Sequence, residues 1–240
     1  MPNYMVCLSH FCEIHGPSTI ICTQVFLGEK FSQSLLKSTS KLSTCASCKL
    51  IVPSESANLV TELRDGPEGQ RRTFVSTQYP SSQQRYSSLA KMVMKSLSVE
   101  TTSDISKPIF FGDGGNGYSI SKIFKIMDNH ARGSERKYSL IISSDTEVSL
   151  LQNWDNVAIY MEELVSLIQN QVEEATEKIS RLRRSKYSND CSFLDNERFL
   201  RRSMLRPRSL VELTDDDQIF PKLHLIATEL LRDIMRWESA

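Results

Sequence analysis

The stretch 108–144, PIFFGDGGNGYSISKIFKIMDNHARGSERKYSLIISS, constrains the fold more than any other part of the chain. Its apolar residues fall into three short runs, 109–111, 118–126 and 138–142, separated by clusters of Gly, Asp and Asn. Such runs, bounded by residues that favour turns, predict strands joined in an antiparallel meander. The first break, Gly112-Asp113-Gly114-Gly115-Asn116-Gly117, holds an Asn-Gly pair suited to a primed hairpin turn. The second, Asp128 to Arg136, is longer and highly polar, with Gly133 to bend it. That loop is the first place to look for function.

A chain of 240 residues suits one domain with long insertions, or a domain with an appendage, and a hydrophobic fraction of 40% can build its core. With 29 basic and 29 acidic residues the formal charge is zero, so no global field draws nucleic acid or anionic lipid. No run approaches the roughly 20 apolar residues of a membrane span, and Met1-Pro2-Asn3-Tyr4 lacks the order of a signal peptide. The expectation is a cytosolic protein that reaches membranes only through partners. Six irregularly spaced cysteines make no disulfide scaffold at this length, and reduced thiols are expected.

Residues 4–11 and 19–26 are apolar and β-branched runs flanking Cys12-Glu13-Ile14-His15-Gly16-Pro17-Ser18, which predicts an N-terminal hairpin. His10 and His15 lie beside Cys7, Cys12 and Glu13, but without the ligand spacing of a zinc site; strand alternation and packing account for them better than a metal. From about 28 to 82 the pattern loosens into polar residues with breaks at Pro53 and Gly66-Pro67, and a long, partly disordered insertion is expected. Within it Cys45-Ala46-Ser47-Cys48 has the spacing of half a zinc knuckle. Cys191 and the histidines could complete it only by folding back, so a reduced surface pair is the favoured reading.

Ser82 opens a helix with Tyr86, Leu89, Ala90, Val93, Met94 and Leu97 at helical spacing, fit to cover one face of the sheet. After the last strand, Asp145-Thr146-Glu147 starts a short helix to Gln152. Trp154-Asp155 then opens a long one, with a stripe from Ile159 through Leu164, Leu167, Ile168, Val172 and Ala175 to Ile179, ending near Leu182. Residues 183–213 read as a basic linker, in which Arg201-Arg202-Ser203 and Arg206-Pro207-Arg208-Ser209 would suit a basophilic kinase, an acidic partner or a membrane surface. A last helix occupies 214–240 behind the acidic start Thr214-Asp215-Asp216-Asp217.

The usual enzyme signatures are absent. No lysine follows the glycines at 112–117 in the P-loop pattern, and neither G-x-S-x-G nor His-Glu-x-x-His occurs, so a self-contained enzyme is not expected. What remains is Arg132, preceded by Ala131 and followed by Gly133, at the centre of a mobile polar loop. A guanidinium with five fixed donors suits the charge that spreads over a transferring phosphoryl group. An arginine in such a loop is more often solvated, or paired here with Asp128 or Glu135.

Taken together, His10-Phe11-Cys12-Glu13-Ile14-His15-Gly16-Pro17, Pro108-Ile109-Phe110-Phe111-Gly112-Asp113, Ala131-Arg132-Gly133 with Tyr138-Ser139 beyond it, Asn153-Trp154, and Arg208-Ser209-Leu210 followed by Asp215-Asp216 resemble the folliculin family in order and spacing. The length resembles its short fungal form, without the C-terminal DENN domain of animal members. The resemblance implies an α+β longin domain over 1–182, an antiparallel five-stranded sheet flanked by helices. It implies a heterodimer with a homologue of the folliculin-interacting proteins. It further implies GTPase-activating action on a Rag-type GTPase of the RagC/D class, in amino-acid signalling to the TOR complex at the vacuole or lysosome. The family's catalytic arginine falls on Arg132, supported by Ala131 and Gly133. No cofactor of its own is expected, the GTP and Mg being the partner's, and no metal site is expected, Cys45 and Cys48 being candidates by their spacing alone. The alternative is a non-catalytic longin adaptor.

Overall fold

In a computed structural model the described residues are 3–27, 45–53, 59–64, 71–98, 105, 107–186 and 207–237. Their centre is one antiparallel sheet. The N-terminal hairpin pairs β1 (Met5–Cys12) with β2 (Gly16–Leu27) about a turn whose Gly16 has φ +73°. The meander forms as the turn clusters require: β5 (Ile109–Asp113), β6 (Gly117–Met127) and β7 (Glu135–Ser144) pair in succession, and β7 also pairs with β1.

The α+β class stands, but the sheet has seven strands rather than five, in the order β3-β4-β2-β1-β7-β6-β5. The two additional strands, β3 (Val60–Arg64) and β4 (Arg71–Thr77), come from the stretch expected as a loose insertion. They add an edge to β2. Their composition hid them: β4 buries Arg72, Thr73, Ser76 and Thr77 beside Phe74 and Val75, so no apolar alternation marks it. The rest of that stretch, at 28–44, 54–58 and 65–70, lies outside the described residues.

The two faces of the sheet are covered differently. On one lies α1 (Gln83–Leu97), capped by the Ser82 side chain accepting from the Arg85 amide, with Leu89, Val93 and Leu97 against Met5, Cys7, Cys22 and Ile141. Tyr86 and Met94, assigned to its apolar stripe from spacing, face solvent, and Met92 and Ser96 are buried in their place. The Ser96 hydroxyl meets those of Ser121 and Ser139, a polar seam beneath an otherwise apolar helix.

On the other face lies the larger core, covered by α2 (Glu147–Gln152), α3 (Trp154–Lys186), α4 (Leu210–Thr214) and α5 (Ile219–Trp237). The buried stripe of α3 is Val157, Met161, Leu164, Ile168, Val172 and Ala175, and both Ile159 and Ile179 are exposed. Leu164, Ile168, Val172 and Ala175 are buried as the spacing predicts, and the stripe differs at its ends, where Val157 and Met161 rather than Ile159 open it and Ile179 faces solvent. The last helix begins at Ile219 rather than 214, and 210–214, expected as the end of the linker and the first residue of that helix, is the separate helix α4. Helix α5 docks on this domain through Phe220, Leu223, Leu230, Leu231 and Ile234. Its buried His224 bridges the hydroxyls of Ser76 and Thr61, at 2.7 and 2.8 Å, and so fastens α5 to β4 and β3. No helix among the described residues is long and apolar enough to cross a membrane.

Candidate functional site at the arginine loop

The loop 128–134 joins β6 to β7 and sits beside the β1–β2 turn, because β1 and β7 are antiparallel neighbours. It is closed on itself by main-chain bonds: the amide of Asp128 donates to the carbonyl of Ser134 (3.0 Å), that of Ala131 to Asp128 (2.9 Å), and that of Ser134 to Ala131 (3.0 Å). Two successive residues adopt left-handed backbone, Gly133 at φ +76° and Ser134 at φ +61°. A Cβ on Gly133 would meet nothing within 4 Å, so the glycine is there for its φ rather than for space.

Three remote groups brace this loop. The Asp128 carboxylate is buried and accepts from Arg136 Nε at 2.6 Å and from Arg208 Nη1 at 3.3 Å, and also from the amide of His130. Burial by itself would raise its pKa. The hydrogen bonds from Arg136 and His130, with the charges of Arg136 and Arg208, outweigh that and hold it below the usual carboxylate range. Arg208 also donates to the carbonyl of Glu212, tying α4 to the loop. From the opposite side, Glu13 Oε1 in the β1–β2 turn accepts from the amide of Arg132 at 2.5 Å.

The consequence is a fixed main chain carrying an exposed side chain. Ala131 is buried beneath the loop, whereas Arg132 and Gly133 are exposed. The acids that could have neutralised Arg132 are engaged elsewhere: Asp128 as above, and Glu135 with Lys125 Nζ at 2.7 Å. Among the described residues the Arg132 guanidinium has no hydrogen-bond or ion-pair partner. Phe11, Ile14 and Met127 are exposed at the same end of the sheet, giving the arginine an apolar rim.

The C-terminal motif has a structural explanation. Ser209 caps α4 in a capping box, its hydroxyl accepting from the Glu212 amide while Glu212 accepts from the Ser209 amide, and the residue is 2% exposed. A kinase could not reach it in the folded chain, which removes Arg206-Pro207-Arg208-Ser209 as a modification site. Arg201-Arg202-Ser203 lies outside the described residues.

Cys45 and Cys48, expected as a surface pair, are half-buried and buried respectively. They lie on a 3-10 turn, Ala46–Cys48, packed against β1 and β2. The sulfurs of Cys12, Cys45 and Cys48 and a ring nitrogen of His15 all fall within 4.8 Å of one another. Sequence reasoning named all four residues but in two separate groups, because nothing in their spacing shows which loop folds onto which turn.

A family model for folliculin, described as a vesicle coat protein involved in Golgi to plasma membrane transport, matches residues 72–234. The chain belongs to the folliculin family. It is 30% identical to protein LST7 of Saccharomyces cerevisiae over 98% of each chain. It is 31% identical to the folliculin-like protein bhd1 of Schizosaccharomyces pombe over 50% of this chain and 35% of that one. Against human folliculin it is 26% identical over 96% of its own length, but spans only 45% of that protein. The arginine loop with Asp128, Arg136 and Arg208 lies inside the matched residues 72–234, whereas the remaining brace, Glu13, lies before them.

Proposed function

We propose that this folliculin-family chain is a GTPase-activating subunit that supplies Arg132 in trans to a Rag-type GTPase of the RagC/D class. It acts as a heterodimer with a homologue of the folliculin-interacting proteins, in amino-acid signalling to the TOR complex at the vacuolar or lysosomal membrane. The observation that carries this reading is the contrast between Arg132's braced main chain and its exposed guanidinium, which has no partner among the described residues. A catalytic arginine must reach another protein's nucleotide without first breaking an ion pair, and preorganised charge is what stabilises the transition state. The apolar rim of Phe11, Ile14 and Met127 offers contact area around it. The GTP and Mg belong to the partner; this chain contributes the positive fork that neutralises charge on the transferring phosphoryl group.

The test is single-turnover GTP hydrolysis by a Rag-type heterodimer, each subunit loaded separately, with and without the complex of this chain and its partner. Arg132→Ala should remove an acceleration of about 10³ to 10⁵ and leave assembly intact. Tight binding without acceleration by the unaltered complex would leave only an adaptor.

A further inference from the structure

The cluster of Cys12, His15, Cys45 and Cys48 has the composition and dimensions of a metal site, and nothing in the GTPase reading uses it. Its ligand atoms come from two tight turns, each a pair with two residues between: Cys12 and His15 on the β1–β2 turn, Cys45 and Cys48 on the 3-10 turn. The measured separations are 3.5 Å for Cys12 Sγ to Cys45 Sγ and 3.6 Å for Cys45 Sγ to Cys48 Sγ. From His15 Nδ1 they are 3.7 Å to Cys12 Sγ and 3.5 Å to Cys48 Sγ. An ion with Zn–S of about 2.3 Å and Zn–N of about 2.0 Å in a tetrahedron spaces its sulfurs by about 3.8 Å and a sulfur and nitrogen by about 3.5 Å. A disulfide would need sulfurs at about 2 Å, and all three thiols are free of one.

Groups able to donate hydrogen bonds lie against each of the three sulfurs. The Ile14 amide points at Cys12 Sγ (3.4 Å), Ser47 Oγ lies 3.1 Å from Cys45 Sγ, and His10 Nε2 lies 3.2 Å from the buried Cys48 Sγ. Each can donate to a sulfur that carries negative charge, the role that outer groups play around a bound ion. Without an ion, three sulfurs, two of them buried, would be crowded together with little to gain from it.

We infer that Cys12, His15, Cys45 and Cys48 bind a single structural Zn²⁺ ion as a Cys₃His tetrahedron, three thiolates and the His15 Nδ1 completing a closed coordination shell. The ion pins the segment 45–53 to the β1–β2 turn. That turn also carries Glu13, which holds the Arg132 amide, so the metal fixes one of the braces of the arginine loop.

The full chain, expressed with zinc in the medium and purified without chelators, should carry one zinc per chain by elemental analysis. The double variant Cys45→Ser/Cys48→Ser should carry none, and Cys191→Ser should keep it. Should the double variant fail to fold, Co²⁺ added to the demetallated wild-type chain decides the matter. It should give the visible bands of a tetrahedral ion with thiolate-to-cobalt charge transfer, displaced by one equivalent of zinc. Substoichiometric zinc in the wild-type chain with no such cobalt spectrum, iron in place of zinc, or zinc retained by the double variant would overturn the assignment. None of these readouts involves GTP hydrolysis, so the metal site and the GTPase reading fail separately.

Discussion

The turn at 113–117 and the loop at 128–134 close opposite ends of β6, and each is organised around an aspartate. Asp113 is exposed and accepts from the amides of Gly115 and Asn116 and from the Asn116 side chain, at 2.8 to 2.9 Å. All of its hydrogen-bond partners lie within three residues, and the turn's remote contact is an exposed one, Lys91 Nζ donating to the Asn116 side chain. Asp128 is buried, and its partners come from β7 and from the segment leading into α4, while Glu13 reaches the same loop from a turn more than a hundred residues away in sequence. A connection whose only task is to reverse the chain can be satisfied by its own residues. A loop that must hold one side chain at a fixed point is cross-braced by distant segments.

That contrast can be broken at either end. Asp128→Ala removes the carboxylate from a buried ion pair with Arg136, and should cost about 3 to 5 kcal/mol, read as the shift of a urea unfolding midpoint at constant slope. An effect as small as that of a surface pair would mean that the brace is not carrying the loop. His224 tests whether remote bracing extends to α5. Burial lowers its pKa from the ordinary 6.5 to about 4, so as the pH falls the unfolded chain takes up the proton before the folded one does. Stability from this group is therefore complete above about pH 6.5 and is lost between there and pH 4, by about 3 kcal/mol. The difference between wild type and His224→Gln should close over that window; a constant difference would contradict it.

Gly133→Ala forces a β-carbon onto left-handed backbone and should cost about 1 to 2 kcal/mol, with a loss of stimulated hydrolysis out of proportion to that small destabilisation. Asp113→Ala should have the smallest effect of all, a barely measurable change in melting and none in hydrolysis. If it impaired hydrolysis as Gly133→Ala does, the two turns would not differ in kind.

What could be read from the sequence follows the same division. The hairpin and the meander were legible because their turns are local: Gly16-Pro17 and the cluster 112–117 announce reversals whatever surrounds them. Strands β3 and β4 were not, since β4 places Arg72 and Thr73 inside the fold and its pairing with β2 spans about fifty residues. Arg132 was singled out by its loop and by the family resemblance, but Glu13 and Arg208 could not be assigned to it, because no periodicity connects residues that meet only after folding. The same is true of Cys12 and His15 with Cys45 and Cys48, two half-sites whose junction is a tertiary contact.

The most direct test of the central claim is single-turnover GTP hydrolysis by the partner GTPase with complexes carrying Arg132, Arg132→Lys or Arg132→Ala, each checked for assembly in the same sample. The braced-arginine account expects full acceleration from the first alone, since an ammonium cannot reproduce the planar fork of a guanidinium. Acceleration by Arg132→Ala equal to that of the unaltered complex would contradict it.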